Sequence, residues 1–339
     1  MSTRLRLAAQ LITNPKQRTP YDVVEHLLAV QAQDLRGARL AIRARSLGTS
    51  ASDVDRALTD DRSLLVTWLN RGTLHLVAVE DYWWLQALTT PQIVTANARR
   101  LGQEGVTPTA ADRGVTAIAR ALGDGPLTRN ELRDRVAAAD VPVAGQAMVH
   151  LLLLASLRGH IVRGPVVANG EQAFVLVGDW LGTAPVVDRD TALGELAVRY
   201  LRGHGPAADA DLARWAKLPL RDARAALAAV ADRLIETEGG LVDLAPRRRP
   251  PKMPPPRLLG PFDPVLLGWR NRDDIVADAT GLVTDNGLFR PFALVDGRAA
   301  AIWSLAGGQV TISPVRQLTA EEQAALETEA ADVRRFLSN

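Results

Sequence analysis

Two glutamines stand two positions apart in the stretch AVQAQD (29–34), Gln31 and Gln33, followed by Asp34 and by Arg36, Arg39, Arg43 and Arg45. A primary amide both accepts and donates hydrogen bonds. Its carbonyl can accept from a water while its NH2 group donates to a phosphate or sugar oxygen. A neutral amide is no strong base, so chemistry done by such a pair is catalysis by position and electrostatics. Spacing sets a condition on it. On a regular helix, positions i and i+2 lie about 200° apart, so the two amides meet at one place only if the helix ends or bends between them. Asp34, Leu35 and Gly37 are consistent with such an ending. From spacing alone, the simpler reading is a helix end whose glutamines meet water, as most glutamines do.

Other chemistries find little support. There is no G-x-S-x-G, no H-E-x-x-H and no G-x-x-x-x-G-K. The five histidines (26, 75, 150, 160, 204) show no ligand spacing, and cysteine is absent. The lack of cysteine rules out disulfides and thiolate metal sites and fits a reducing cytoplasm. Neither a metal site nor a cofactor is expected. His75 falls in a predicted strand and reads as a buried structural histidine. Asp263 in GPFDPVLLG reads as a turn former. Lysine occurs only at 16, 217 and 252, which disfavours an amine nucleophile.

The remaining 37 basic residues are arginines, although the net charge is only +2. Base composition of the gene can produce an arginine-rich chain, so distribution says more than the total. Residues 247–257 (RRRPPKMPPPR) carry five positive charges and no acid, and the segment from Arg36 to Arg45 is similarly one-signed. Such patches suit a phosphate-bearing partner. The most apolar stretch, VHLLLLASL, is under half of the roughly 20 residues a bilayer span needs. The N-terminus lacks the apolar core of a signal peptide. No membrane association is expected.

The elements that must carry these residues repeat in kind. Thr19-Pro20 opens a helix whose apolar stripe (Val23, Val24, Leu27, Leu28, Val30) is predicted to run as far as Gln31, with further helices over 37–46 and 52–59. SLLVTWL and TLHLVAV then read as two strands about Asn70-Arg71-Gly72, followed by an aromatic-rich helix. A second run has helices over 125–139 and 146–160, then a hairpin with Asn169-Gly170 at its tip. A third run of helices and a short hairpin occupies 191–244. The order helix–turn–helix–hairpin is that of a winged helix. The fold class is therefore α+β, with three tandem winged-helix units over 1–110, 111–187 and 188–245. A stiff basic proline-rich linker follows at 246–256. Residues 257–339 are expected to form a small β-barrel-like domain closed by a helix at 319–337.

LLAVQAQDLRGARLAIRAR, RGTLHLV (71–77), LLGPFDPVLLGWRNR (258–272) and FRPFALVDGRAAAIW (289–303) together resemble the winged-helix DNA glycosylases of the AlkZ type. The likeness runs through nearly the whole chain in the same order. Gln31 and Gln33 match the Q-x-Q pair those enzymes use for catalysis, whereas a related branch carries Q-x-D. LLGPFDP departs from a commoner LLP-x-FDP, and no role beyond the turn is carried over to Asp263. The resemblance implies monofunctional hydrolysis of the N-glycosidic bond of N7- or N3-alkylated purines in double-stranded DNA, bulky or crosslinked adducts included. An alkylated purine is already cationic and leaves readily. The tasks left are to hold a water against C1′ and to stabilise an oxocarbenium-like sugar. Gln31 and Gln33 would hold the water, with Asp34 a helper through its charge. Arg36, Arg39, Arg43, Arg71, Arg247, Arg248 and Arg249 are the candidate DNA contacts. A cytoplasmic, nucleoid-associated monomer is expected. A winged-helix transcriptional regulator without catalysis is the alternative, as fold alone supports binding in either case.

Overall fold

The computed structural model describes every residue except 1, 168–169, 247–248, 250, 277–280, 285–288 and 339. By contact density the chain divides into two units, one of residues 1–54 with 193–339 and one of 55–192. The N-terminal stretch thus packs with the C-terminal half, whereas the sequence suggested one contiguous unit over 1–110.

The first unit begins with α1 (Ser2–Ala9) and α2 (Pro20–Leu27). Thr19 caps α2 as its sequence implies. The Thr19 hydroxyl accepts from the Asp22 N–H (3.1 Å), and the Asp22 carboxylate accepts from the Thr19 N–H (2.8 Å). Pro20 takes the first helical position, where no N–H is needed. The helix stops four residues short of Gln31, a correction to the expected helix. Leu28 turns to φ 69°, ψ −47°, and the chain goes on as a two-residue strand, β1 (Val30–Gln31). Val30 is buried as the apolar stripe required, but as a strand residue. Next come α3 (Leu35–Arg43) and α4 (Ala51–Thr59).

In the second unit β2 (Leu64–Leu69) and β3 (Thr73–Ala78) pair antiparallel about the predicted turn, with Asn70 at φ 52° and Gly72 at φ 79°. Four helices follow, α5 (Tyr82–Thr89), α6 (Pro91–Gln103), α7 (Pro108–Leu122) and α8 (Arg129–Ala137). Then come α9 (Ala147–Leu157), β4 (Ile161–Val166), β5 (Gln172–Leu176) and α10 (Val177–Leu181). The strands are hydrogen-bonded in the order β3–β2–β4–β5. Every residue of β2 is buried, and α9 is buried except at Val149 and His150, packed against α6, α7, β2 and β4. A helix apolar on all sides belongs inside a core. The predicted turn residue Asn169 lies outside the described residues; Gly170 beside it has φ 78°.

The chain returns to the first unit through α11 (Arg189–His204), α12 (Asp209–Ala216), α13 (Leu220–Ala228) and the hairpin β6 (Leu234–Glu236) and β7 (Val242–Leu244). The proline-rich stretch has no regular structure among its described residues. Beyond it lie β8 (Arg257–Leu259), two single-turn helices α14 (Pro264–Leu267) and α15 (Asp273–Val276), strands β9 (Phe292–Val295), β10 (Arg298–Ala306) and β11 (Gln309–Pro314), and α16 (Ala320–Ser338). Part of the stretch read as strands is helical instead. Asp263 caps α14 by accepting from the Val265 N–H (2.9 Å). The strands form an antiparallel sheet in the order β11–β10–β9–β8, so among the described residues the expected barrel-like unit is an open sheet.

Two buried arginines join the motif-bearing segment to this C-terminal region. Arg45 makes a bidentate pair with Asp263 (2.8 and 2.9 Å), both side chains inaccessible to solvent. Arg43 bonds Glu329 (3.0 Å) and Asp332 (2.8 Å) on α16 and the Leu258 carbonyl on β8. A buried charge needs partners on all sides, and these partners lie more than 200 residues along the chain.

Candidate active site

Neither glutamine is helical. Gln31 ends β1 and is 8% exposed, and Gln33 is exposed in the bend before α3. The helical geometry that would have set the two amides on opposite sides is absent. Asp34, at φ −114° and ψ 113°, is the N-cap of α3, and its Oδ1 accepts from the Arg36 N–H (3.0 Å) while its carbonyl accepts from the Ala38 N–H (3.1 Å). The pair thus lies in the short connection between the end of α2 and a capped helix start.

The candidate cations separate into groups. Arg36 in the first turn of α3 is exposed and Arg39 half-buried; Arg249 is exposed beyond β7. Arg71 sits half-buried at the β2–β3 turn, in the other unit. Arg247 and Arg248 lie outside the described residues. Arg43 must be withdrawn from the set of phosphate contacts. Its side chain is 2% exposed and committed to two carboxylates, so no strand can reach it. His75 is buried as expected, its Nδ1 2.9 Å from the Thr73 carbonyl. Burial, reinforced by the Arg71 charge, lowers its pKa to about 3. It is therefore a neutral core imidazole.

Residues 24–336 match the model of a family described as DNA glycosylase AlkZ-like. The chain belongs to this family. It is 28% identical to an interstrand DNA cross-link repair glycosylase of Streptomyces sahachiroi over 353 aligned positions, covering 97% of this chain and 94% of that protein. The solved structure of the S. sahachiroi DNA glycosylase AlkZ superposes with a TM-score of 0.80 at 26% identity, over 98% of this chain and 95% of that one. Among the described residues of this AlkZ-like glycosylase, no helix is long and apolar enough to cross a membrane.

The AlkZ-like chain also holds its glutamine segment in place through residues that sequence reasoning passed over. The last carbonyls of a helix have no partner within it. At the end of α2, the Glu25 carbonyl accepts from Arg199 Nη2 (2.8 Å) and Arg202 Nη2 (2.6 Å) on α11, and the Glu25 carboxylate pairs with both arginines (3.3 and 2.6 Å). Positive side chains at a helix C-terminus also offset its dipole. Gly203 lets the two helices touch, for a Cβ there would sit 3.0 Å from the His26 carbonyl oxygen and 3.3 Å from Leu27 Cα. His26 Nε2 lies 2.7 Å from the Ala9 carbonyl. One cue was in the sequence: Arg199, Arg202 and Gly203 share the C-terminal part of a helix, three and four residues apart.

Proposed function

We propose that this enzyme is a monofunctional glycosylase that hydrolyses the N-glycosidic bond of N7- or N3-alkylated purines in duplex DNA, bulky and crosslinked adducts included. Gln31 and Gln33 hold the attacking water. The observation that carries this reading is that the pair occupies a non-helical link fixed at both ends, by the Arg199–Arg202–Glu25 contacts on one side and the Asp34 cap on the other. An amide held in place raises the effective concentration of its water without needing a proton of its own. The Asp34 carboxylate puts negative charge where the start of α3 would otherwise be positive, the sign required beside a cationic sugar. Arg36, Arg39, Arg71 and the basic stretch containing Arg247, Arg248 and Arg249 grip phosphates. The helix–hairpin runs serve as winged-helix DNA-binding units, and the protein acts as a monomer on nucleoid DNA. The family's name and the relative's crosslink-repair title support a substrate of this class.

The test is a duplex bearing N7-methylguanine, or an N7-linked interstrand crosslink, incubated with protein and then cleaved at abasic sites with alkali. Strand breaks should appear with the native chain and fall about 10²–10³-fold in Gln31→Ala and Gln33→Ala. Asp34→Asn keeps an N-cap, so a slower rate at unchanged stability isolates the charge. DNA binding with no base release over many hours would sink the proposal. A sequence-dependent footprint on undamaged DNA would favour the regulator instead.

A further inference from the structure

The first turn of α3 borders a pocket of about 180 Å³ formed with the C-terminal sheet and α16. Its walls include Leu40, Pro261, Trp303 and Leu305, with Arg36 and Ser304 both exposed. The indole N–H of Trp303 donates to the Leu259 carbonyl (2.9 Å), so the ring's polar edge is satisfied inside the fold. The wall is closely built. A Cβ at Gly37 would fall 2.8 Å from the Pro261 carbonyl oxygen, and one at Gly260 would fall 2.9 Å from Leu40 Cβ. Backbone packed this tightly leaves a preformed recess rather than one that opens on demand. Arg36 is three residues from Gln33, which places its backbone within about 11 Å of the glutamine.

We propose that this pocket receives the apolar, ring-bearing part of a bulky purine adduct whose glycosidic bond lies at Gln31 and Gln33, a reading that rests on the function proposed above. The volume suits one or two rings. A cavity of about 150 Å³ lined by aliphatic side chains holds a benzene, whereas sites for whole drug-sized ligands run to roughly 300–1,000 Å³. The chemistry suits rings as well. Trp303, Leu40 and Pro261 are buried and form the floor, and the half-buried Pro291, Leu305 and Leu337 offer apolar surface above it. The guanidinium plane of the exposed Arg36 can stack over a ring or pair with the adjoining phosphate. A small N-methyl group has nothing to place there. The pocket therefore separates bulky aromatic from small alkyl lesions.

The experiment compares duplexes carrying N7-benzylguanine and N7-methylguanine in the same sequence, measuring both excision rate and equilibrium binding. Native protein should favour the benzyl adduct about tenfold, as expected for filling an apolar pocket. Ser304→Trp, a change at an exposed strand position, fills the recess from its rim. It should remove the benzyl preference, with the methyl adduct as internal reference. A native protein that treats both adducts alike overturns the proposal, as does a variant that loses both adducts equally or keeps the preference. Absence of excision from either duplex refutes the glycosylase reading alone, and the binding preference then still decides the pocket.

Discussion

Leu28 offers an inversion of the usual order of residue stabilities. It is fully buried and holds φ 69°, ψ −47° at the point where α2 gives way to β1. Replacing it by alanine removes a buried leucyl side chain, at about 2–5 kcal/mol. Alanine would still carry the backbone strain of that conformation, about 1–3 kcal/mol. Glycine loses the same side chain but adopts φ > 0 freely, while its unfolded chain gains about 0.5–1 kcal/mol of conformational freedom. The balance puts Leu28→Gly above Leu28→Ala by about 1 kcal/mol. Within a helix, where the apolar stripe had placed this residue, alanine would be the more stable by about the same amount. For a unit of this size the difference corresponds to roughly 2–4 °C in Tm, readable by circular dichroism on the two full-length variants. Alanine equal to or above glycine would refute the claim that a strained turn ends α2. The same pair tests the role proposed for Gln31, because a looser turn lets it wander and an error of about 1 Å can slow a reaction about 10²-fold. Leu28→Gly is thus expected to be the more stable variant and the slower enzyme.

Three further outcomes follow from features already described. Asp263→Ala strands the Arg45 guanidinium in the core and should cost about 3–5 kcal/mol of stability in denaturant unfolding. DNA affinity measured against salt should show a slope smaller by about one for Arg36→Ala if the phosphate contact proposed for it is made; Arg43→Ala should lower stability with no change of slope. His75 binds a proton in the unfolded chain below pH 6.5 but in the fold only near pH 3. Stability should therefore fall as pH drops through that window, by at most about 1.4 kcal/mol per pH unit, and His75→Gln should flatten that part of the profile in urea titrations.

How much of this was legible in the sequence depended on the range of the interaction. Local rules worked. Thr19-Pro20 marked a helix start, Thr128 caps α8 with Glu131 completing the box, and Asn70-Arg71-Gly72 makes the hairpin turn. The same rule, applied to Thr90-Pro91 and Thr107-Pro108, would have found α6 and α7, which begin at those prolines. The end of α2 was misplaced because a buried apolar run reads alike for a helix and for a helix that becomes a strand. The signal that separates them, a leucine at positive φ, carries no compositional mark. Arg43 was placed on a DNA surface because its partners, Glu329 and Asp332, are nearly 300 residues away. In the sequence a buried, paired arginine looks the same as one facing a phosphate. Type and spacing singled out Gln31 and Gln33, but spacing alone favoured a helix end meeting water, and only the resemblance to AlkZ-type glycosylases gave them a role. The contacts of Arg199 and Arg202 at the end of α2 required the fold.

The burial of α9 limits how this protein can read its substrate. In a helix-turn-helix module, the last helix before the wing is the part that enters the major groove. In the second run that helix is apolar nearly all round and closed in by α6, α7, β2 and β4. No base edge can meet it. That segment keeps the element order of a reader without a reading surface, so its hold on DNA, if exercised through the hairpin or its outer helices, is indifferent to sequence. Such indifference suits a DNA glycosylase, whose target is a damaged base rather than a base sequence.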